Sequence, residues 1–222
     1  MPEATAAARL DVPDGFFARI DESPDPSFYV LPRKVTHIDE RAIAAVTELY
    51  AELVPPGGVV LDLMSSWRSH LPDGHASRAV GLGLNREEMV DNPQLDEVVV
   101  HDVNATPTLP FHDATFDAVV CCVSVQYITR PAELFAEVAR VLRVGAPFVV
   151  TFSNRCFPPK AVRGWLYASD EEHCDLVRAY FEQVPAFGPV ELEQRRTGPR
   201  PIFDPLFAAW ARRTSPVQDD EA

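Results

Sequence analysis

Apolar residues along this chain follow two alternating spacings. From Asp39 onward Ala42, Ile43, Val46, Leu49, Tyr50 and Leu53 recur at helical spacing, with Asp39 or Thr36 placed to cap the start. Pro55-Pro56-Gly57-Gly58 ends that helix. Short runs apolar on both faces then follow at residues 59–64, 79–84, 97–101, 116–125 and 147–152. Before the last of these, Leu134, Phe135, Val138, Val141 and Leu142 form a stripe that predicts a helix over 131–143. A third helix is predicted over 171–181, and two closing strands over 190–195 and 206–212. Strands apolar on both faces, separated by helices, predict an α/β fold with a parallel sheet covered on both sides.

Residues 1–27 mix Ala, Asp, Glu and proline without sustained periodicity and read as an irregular arm, with order expected around Phe16 and Phe17. Residues 28–213 read as one domain and residues 214–222 as an acidic polar tail. The chain has 222 residues and a net charge of −13, which argues against nucleic acid or an anionic membrane as partner. No apolar run approaches the roughly 18 residues that cross a bilayer. The four cysteines show no metal-like spacing, so no metal is expected, and reduced thiols predict a cytoplasmic protein. Glycine is scarce, with 10 glycines against 21 prolines, which disfavours a phosphate cradle built on backbone amides.

In an open parallel sheet ligands bind at the carboxyl ends of the strands. Those ends carry Met64-Ser65-Ser66-Trp67-Arg68-Ser69-His70, then Asn85, Asp102-Val103-Asn104, Ser124-Val125-Gln126-Tyr127 and Ser153-Asn154-Arg155. Polar groups gathered at five strand ends exceed what a buried sheet needs and predict a ligand pocket. Trp67 could lie over a cationic ligand centre. His37 and His70 are candidates to take a proton from a nucleophile. Arg33, in the sequence Leu31-Pro32-Arg33-Lys34, is placed to meet a carboxylate if the N-terminal arm folds over the site.

Four strings carry a resemblance: Val60-Leu61-Asp62-Leu63, Val80-Gly81-Leu82-Gly83-Leu84-Asn85, L-P-F-x-D-x-x-F-D at 109–117 and E-V-x-R-V-L-R-x-G at 137–145. In this order they resemble the class I S-adenosylmethionine-dependent methyltransferases, over residues 59–154 and more loosely the last two strands. The resemblance implies a Rossmann-like seven-stranded, mostly parallel sheet with helices on both faces and an antiparallel hairpin formed by its last strands. It implies S-adenosylmethionine as cofactor, S-adenosylhomocysteine as product, and in-line methyl transfer to an O-, N- or S-nucleophile of a small molecule. Asp62 would organise the loop around the methionine moiety, helped by Met64, Ser65, Ser66 and Trp67. Asp102, Val103, Asn104 and Val123 would hold the adenine. Gly83 stands where the family has an acid that bonds the ribose, and Asn85 is the substitute expected there. Tyr127 and His37 are the catalytic candidates, and Arg33, His70, Gln126, Asn154 and Arg155 the acceptor-side ones.

Two departures stand out. The family's D-x-G-x-G-x-G turn is replaced by Met64, Ser66 and Arg68 at its glycine positions. The stretch 61–72 is similar to a methyltransferase-like subgroup with L-D-L-M-S-S-W-x-S-H-L-P in place of that turn. A non-catalytic binding or scaffolding protein on the same fold is the alternative these departures favour. A nicotinamide dehydrogenase is disfavoured, because no G-x-G-x-x-G follows the first strand. Neither the acceptor nor the oligomeric state is legible.

Overall fold

Val, Leu and Ala dominate four short runs that must be shielded on both faces, and these form the middle of the sheet. In the computed structural model, which describes residues 10, 12–195, 197–199 and 202–214, they are β1 (Val59–Leu63), β2 (Arg78–Gly83), β4 (Ala118–Cys122) and β5 (Pro147–Phe152). The more charged runs β3 (Glu97–Val100) and β6 (Glu191–Arg195) take the two edges, where one face of the ladder meets solvent. With β7 (Leu206–Arg212) the sheet has seven strands in the order β3-β2-β1-β4-β5-β7-β6. Only β7 runs against its neighbours, pairing antiparallel with both β5 and β6. The expected mostly parallel sheet with a final antiparallel hairpin is what forms.

Each face is covered by the helices the stripes predicted. On one, α2 (Glu40–Leu53) buries Ala42, Ala45, Val46, Leu49 and Tyr50 against Val60, Val120, Val149 and Ala208. Its N-cap is Asp39, whose side chain accepts from the N–H groups of Arg41 and Ala42. On the other face, α4 (Pro131–Val141) and α6 (Asp170–Glu182) bring Phe135 and Phe181 onto Phe148, with ring centroids 5.0–5.2 Å apart. Ser169 and Glu172 close a reciprocal capping box at the start of α6.

The run 116–125 is shorter as a strand than its hydrophobicity suggests. Phe116 makes only an isolated bridge to Leu142, and Val123 turns out of the ladder at φ 42° before a 3-10 turn, Val125–Tyr127. Hydrophobicity there reflects burial of a strand end and a turn, not continued pairing. Three short helices have no periodic signal because each is about one turn long: α1 (Asp25–Phe28), α3 (Arg86–Val90) and α5 (Arg163–Leu166). Residues 1–9, 11 and 215–222 of the expected arm and tail lie outside the described residues. Phe16 and Phe17 pack against the core, and Phe16 lies so close to Gly164 that a β-carbon there would come within 2.1 Å of its ring.

Candidate functional site

The carboxyl ends of β1, β2 and β4 and the turn after β3 open into one cavity of about 120 Å³, closed above by residues 19–37. At its floor Asp62 is 3% exposed, and its Oδ2 accepts hydrogen bonds from Ser65 Oγ (2.5 Å) and Ser69 Oγ (2.6 Å). Burial raises its pKa to about 6, against the lowering effect of those two hydroxyls. Met64 leaves the strand in a left-handed conformation, φ 58°, which tips the following loop back over the sheet. Ser65 N then donates to Leu82 O at 2.8 Å, so the loop lies on the end of β2.

That crossing explains both departures from the glycine-rich pattern together. A β-carbon at Gly83 would sit 2.3 Å from the Ser65 carbonyl oxygen and 3.1 Å from Met89 Sδ. The position of the missing acid is therefore filled by the first loop's own backbone. Loop and glycine are one change seen at two places in the chain.

Asn85 does not offer its amide freely, contrary to expectation. Its Oδ1 caps α3 by accepting from Glu88 N (3.0 Å), and its Nδ2 donates to Tyr29 O (2.9 Å). Local capping chemistry, together with the arm lying across it, accounts for the difference. Glu88, 7% exposed, completes this corner: Oε2 accepts from Ser66 Oγ at 2.6 Å and Oε1 from Arg33 N.

After β3, Asp102 Oδ1 accepts from Asn104 N (3.0 Å) and Ala105 N (3.1 Å), holding the turn. Asn104 is a hub, donating to Asp25 Oδ2 and Tyr127 O while accepting from Thr129 N and Oγ1. Val103 and Val123 are buried on the cavity wall. Tyr127 Oη accepts from Phe157 N at 2.8 Å, and burial pushes the phenol up to about 12.

The roof comes from the arm. Trp67 Nε1 donates to Val35 O (2.9 Å), while the guanidinium of Arg68 lies 4.0 Å over the indole, so Trp67 pins the roof as well as lining the cavity. Arg33 stands over Phe28 at 4.2 Å and Phe157 at 5.3 Å, and its Nη1 is buried with no hydrogen-bond partner among the described residues. His37 packs edge-on against Phe157, centroids 5.1 Å apart. Burial lowers the pKa of His37 and takes that of His70 down to about 4, with Arg68 adding to the latter shift. Both rings are neutral near pH 7.

A buried charge network anchors the roof. Lys160, 0% exposed, donates to Ser23 O (2.5 Å) and Asp21 O (3.2 Å) and pairs with Asp25 at 3.3 Å. Arg19 pairs with the same carboxylate at 2.6 Å.

Arg33, His37, Asp62, Met64, Ser65, Ser66, Trp67, His70, Gly83, Asn85, Asp102, Val103, Asn104, Val123 and Tyr127 thus all reach the cavity. Three expected acceptor-side residues do not line it. Gln126 is turned into the protein, donating to Val123 O (2.7 Å) and Arg155 O (3.3 Å). Asn154 faces solvent, and Arg155, 63% exposed in its side chain, pairs with Asp204 at 2.7 Å. Gln126 lies within the 3-10 turn with its amide tied to backbone carbonyls, and Asn154 and Arg155 leave β5 on the solvent side. Glu88, Tyr29, Phe157, Asp25 and Lys160 line it without having been anticipated. The Asn85-x-x-Glu88 spacing of a capping pair was a readable signal for the first.

Residues 72–150 match the methyltransferase domain family, a span that starts just after the altered first loop. Among solved structures, an S-adenosylmethionine-dependent methyltransferase from Mesorhizobium loti is 16% identical, with a TM-score of 0.54 over 76% of this chain and 98% of that one. A Pyrococcus horikoshii protein is 16% identical, with a TM-score of 0.56 over 85% of this chain and 99% of its own. A chain from the complex between the Haloferax volcanii Trm112 methyltransferase activator and a proposed methyltransferase is 15% identical, with a TM-score of 0.59 over 79% and 91%. At these identities the likeness is one of fold. No curated protein matches the chain.

Proposed function

We propose that the chain is a class I S-adenosylmethionine-dependent methyltransferase, transferring a methyl group from S-adenosylmethionine to a nucleophile on a small-molecule acceptor; the methyltransferase-domain match over residues 72–150 and the shared fold support this reading. The observation that carries this reading is the convergence of Asp62, Gly83, Asp102 and Val123, from successive strand ends, on one cavity. The residues present fit the cofactor: the Nη1 of Arg33, buried without a hydrogen-bond partner among the described residues, suits a carboxylate, and Asp102 and Val103, both on the cavity wall, are the residues we assign to the adenine. Bound there, S-adenosylmethionine supplies an electrophilic methyl group on a sulfonium. Ligand pockets usually measure about 300–1,000 Å³. At about 120 Å³ this one must enlarge to admit such a molecule.

The protein's part in the reaction is alignment and proton removal. His37, neutral and half-buried on the cavity wall, is the group we assign to accept a proton from the nucleophile. His70, with its pKa near 4, is too weak a base for that role and serves as a neutral hydrogen-bonding contact. Tyr127 keeps its proton at physiological pH and offers it as a hydrogen bond to the acceptor, since its oxygen already accepts from Phe157 N. The net charge of −13 supports a small molecule over nucleic acid or membrane, and four free cysteines support a cytoplasmic setting.

A binding or scaffolding protein is the second reading, favoured by the closed roof and by the mutual engagement of Ser66, Asn85 and Glu88. Calorimetric titration with S-adenosylmethionine and S-adenosylhomocysteine separates the two. Micromolar binding that Asp102→Ala weakens at least tenfold supports the methyltransferase, whereas no heat at millimolar ligand leaves the scaffold. Labelled methyl donor offered with phenols, amines and thiols then identifies the acceptor class.

A further inference from the structure

A ribose brings two hydroxyl donors into any site that buries it, and leaving them without an acceptor removes their hydrogen bonds to water uncompensated. Nucleotide sites built on parallel sheets meet this need with a carboxylate at the end of the second strand. Here no side chain can stand at that place, because the Ser65 carbonyl occupies the space above Gly83. Four carboxylates line the cavity: Asp25, Asp62, Glu88 and Asp102. Asp25 is held by Arg19, Lys160 and Asn104, and Asp62 lies at the floor under Ser65 and Ser69. Asp102 belongs to the next strand end, where it holds its own turn.

Glu88 remains. It sits in the first turn of α3, five residues beyond Gly83, and lines the same cavity, with its carboxylate bonded to Ser66, next to the Ser65 carbonyl that covers Gly83. Each of its oxygens accepts one hydrogen bond, from Arg33 N and Ser66 Oγ, and a carboxylate oxygen has room for a second. We propose that Glu88 is the ribose-recognition residue of this protein, its carboxylate replacing, from the helix, the acid displaced from the strand by the collapsed first loop. The proposal rests on the reading of the cavity as a site for an adenosyl methyl donor. In that arrangement Glu88 also joins the ligand to the roof, since the same carboxylate holds the backbone of Arg33.

The test compares binding of S-adenosylhomocysteine and its 2′,3′-dideoxy analogue by calorimetry, with no turnover required. Wild-type protein is expected to favour the diol by about tenfold or more, the range for hydrogen bonds to a charged group. Glu88→Gln should cut that preference to about threefold or less while still binding the dideoxy analogue. A Glu88→Gln protein that keeps the tenfold preference overturns the inference, as does wild-type protein that binds S-adenosylhomocysteine but ignores the hydroxyls. Both of those outcomes leave the methyl-donor reading standing. Wild-type protein that binds neither ligand removes the reading and the inference together. A crystal structure of the wild-type complex decides the matter even if the variant does not fold: a ribose hydroxyl within about 3 Å of Glu88 supports the assignment, and a diol held by another residue overturns it.

Discussion

Replacing Gly83 by alanine adds one carbon at the point where the first loop crosses β2. The added atom would lie 2.3 Å from the Ser65 carbonyl oxygen, about 1 Å inside a normal contact, and the neighbour is backbone. Relief requires the loop to lift, and the loop is tied down on several sides. Ser65 N is bonded to Leu82 O, Ser65 and Ser69 hydroxyls to Asp62, and Trp67 to Val35. Overpacking typically costs 1–3 kcal/mol, and loss of one buried hydrogen bond adds about 1 kcal/mol, so Gly83→Ala should destabilise by about 3 kcal/mol. For a chain of this length that lowers Tm by roughly 6–12 °C. Gly81→Ala is the internal control. Its new carbon would meet Leu95 Cδ1 at 2.4 Å, the movable end of a side chain, and should cost only about 1 kcal/mol. Urea unfolding of both variants, followed by tryptophan fluorescence and circular dichroism, measures the difference. Equal costs, or a near-neutral Gly83→Ala, would refute the idea that the loop's backbone occupies the place of the acid.

Two further outcomes follow from the buried charges. His70 has a folded pKa near 4 against an ordinary 6.5, so the unfolded chain takes up its proton first as pH falls. The stability it contributes is therefore present at neutral pH and lost on going down from 6.5 through 4, amounting to about 2 kcal/mol by pH 5. Asp62, raised to about 6, works in the opposite sense: the folded form holds the proton more tightly, and stability rises as pH falls through 6 towards 4. The two partly cancel in the native chain. Comparing native protein with His70→Gln at pH 7.5 and pH 5 isolates the first, and a pH-independent difference between them would sink it. Lys160→Met removes a fully buried cation from Asp25, which keeps Arg19 and Asn104 as partners, so a loss of about 2–3 kcal/mol is expected rather than the full value for a broken buried pair. Limited proteolysis of that variant should cut first within residues 12–35, and unchanged stability with an unchanged cleavage pattern would show that the network does not hold the roof.

The legible and illegible parts of this molecule divide along a physical line. β5 and β7 were readable to the residue, because a strand buried on both faces must be apolar throughout and its ends are marked where polarity returns. Once strand ends are known, the positions at and just after them are known too, which is why Asp62, near the end of β1, and Asp102 and Val123, after β3 and β4, are legible as candidates. Of the exceptions, Gln126 follows a turn set by Val123 at φ 42°, a conformation no hydrophobic pattern encodes, and Asn154 and Arg155 leave β5 towards solvent, where Arg155 meets Asp204 from 49 residues away. The roof was illegible for a different reason. Its bonds run from Asp25 to Asn104, from Tyr29 to Asn85 and from Arg33 to Glu88, each spanning 55 residues or more, and a single sequence carries no signal for such pairings. The scarcity of glycine lies between these cases. It was visible in the composition and again in the first loop, where Met64, Ser66 and Arg68 replace the usual turn. Its consequence at Gly83 required the loop and the second strand to be seen together. A loop without glycines closes down on the strand beside it, and the strand accommodates this by giving up its own side chain.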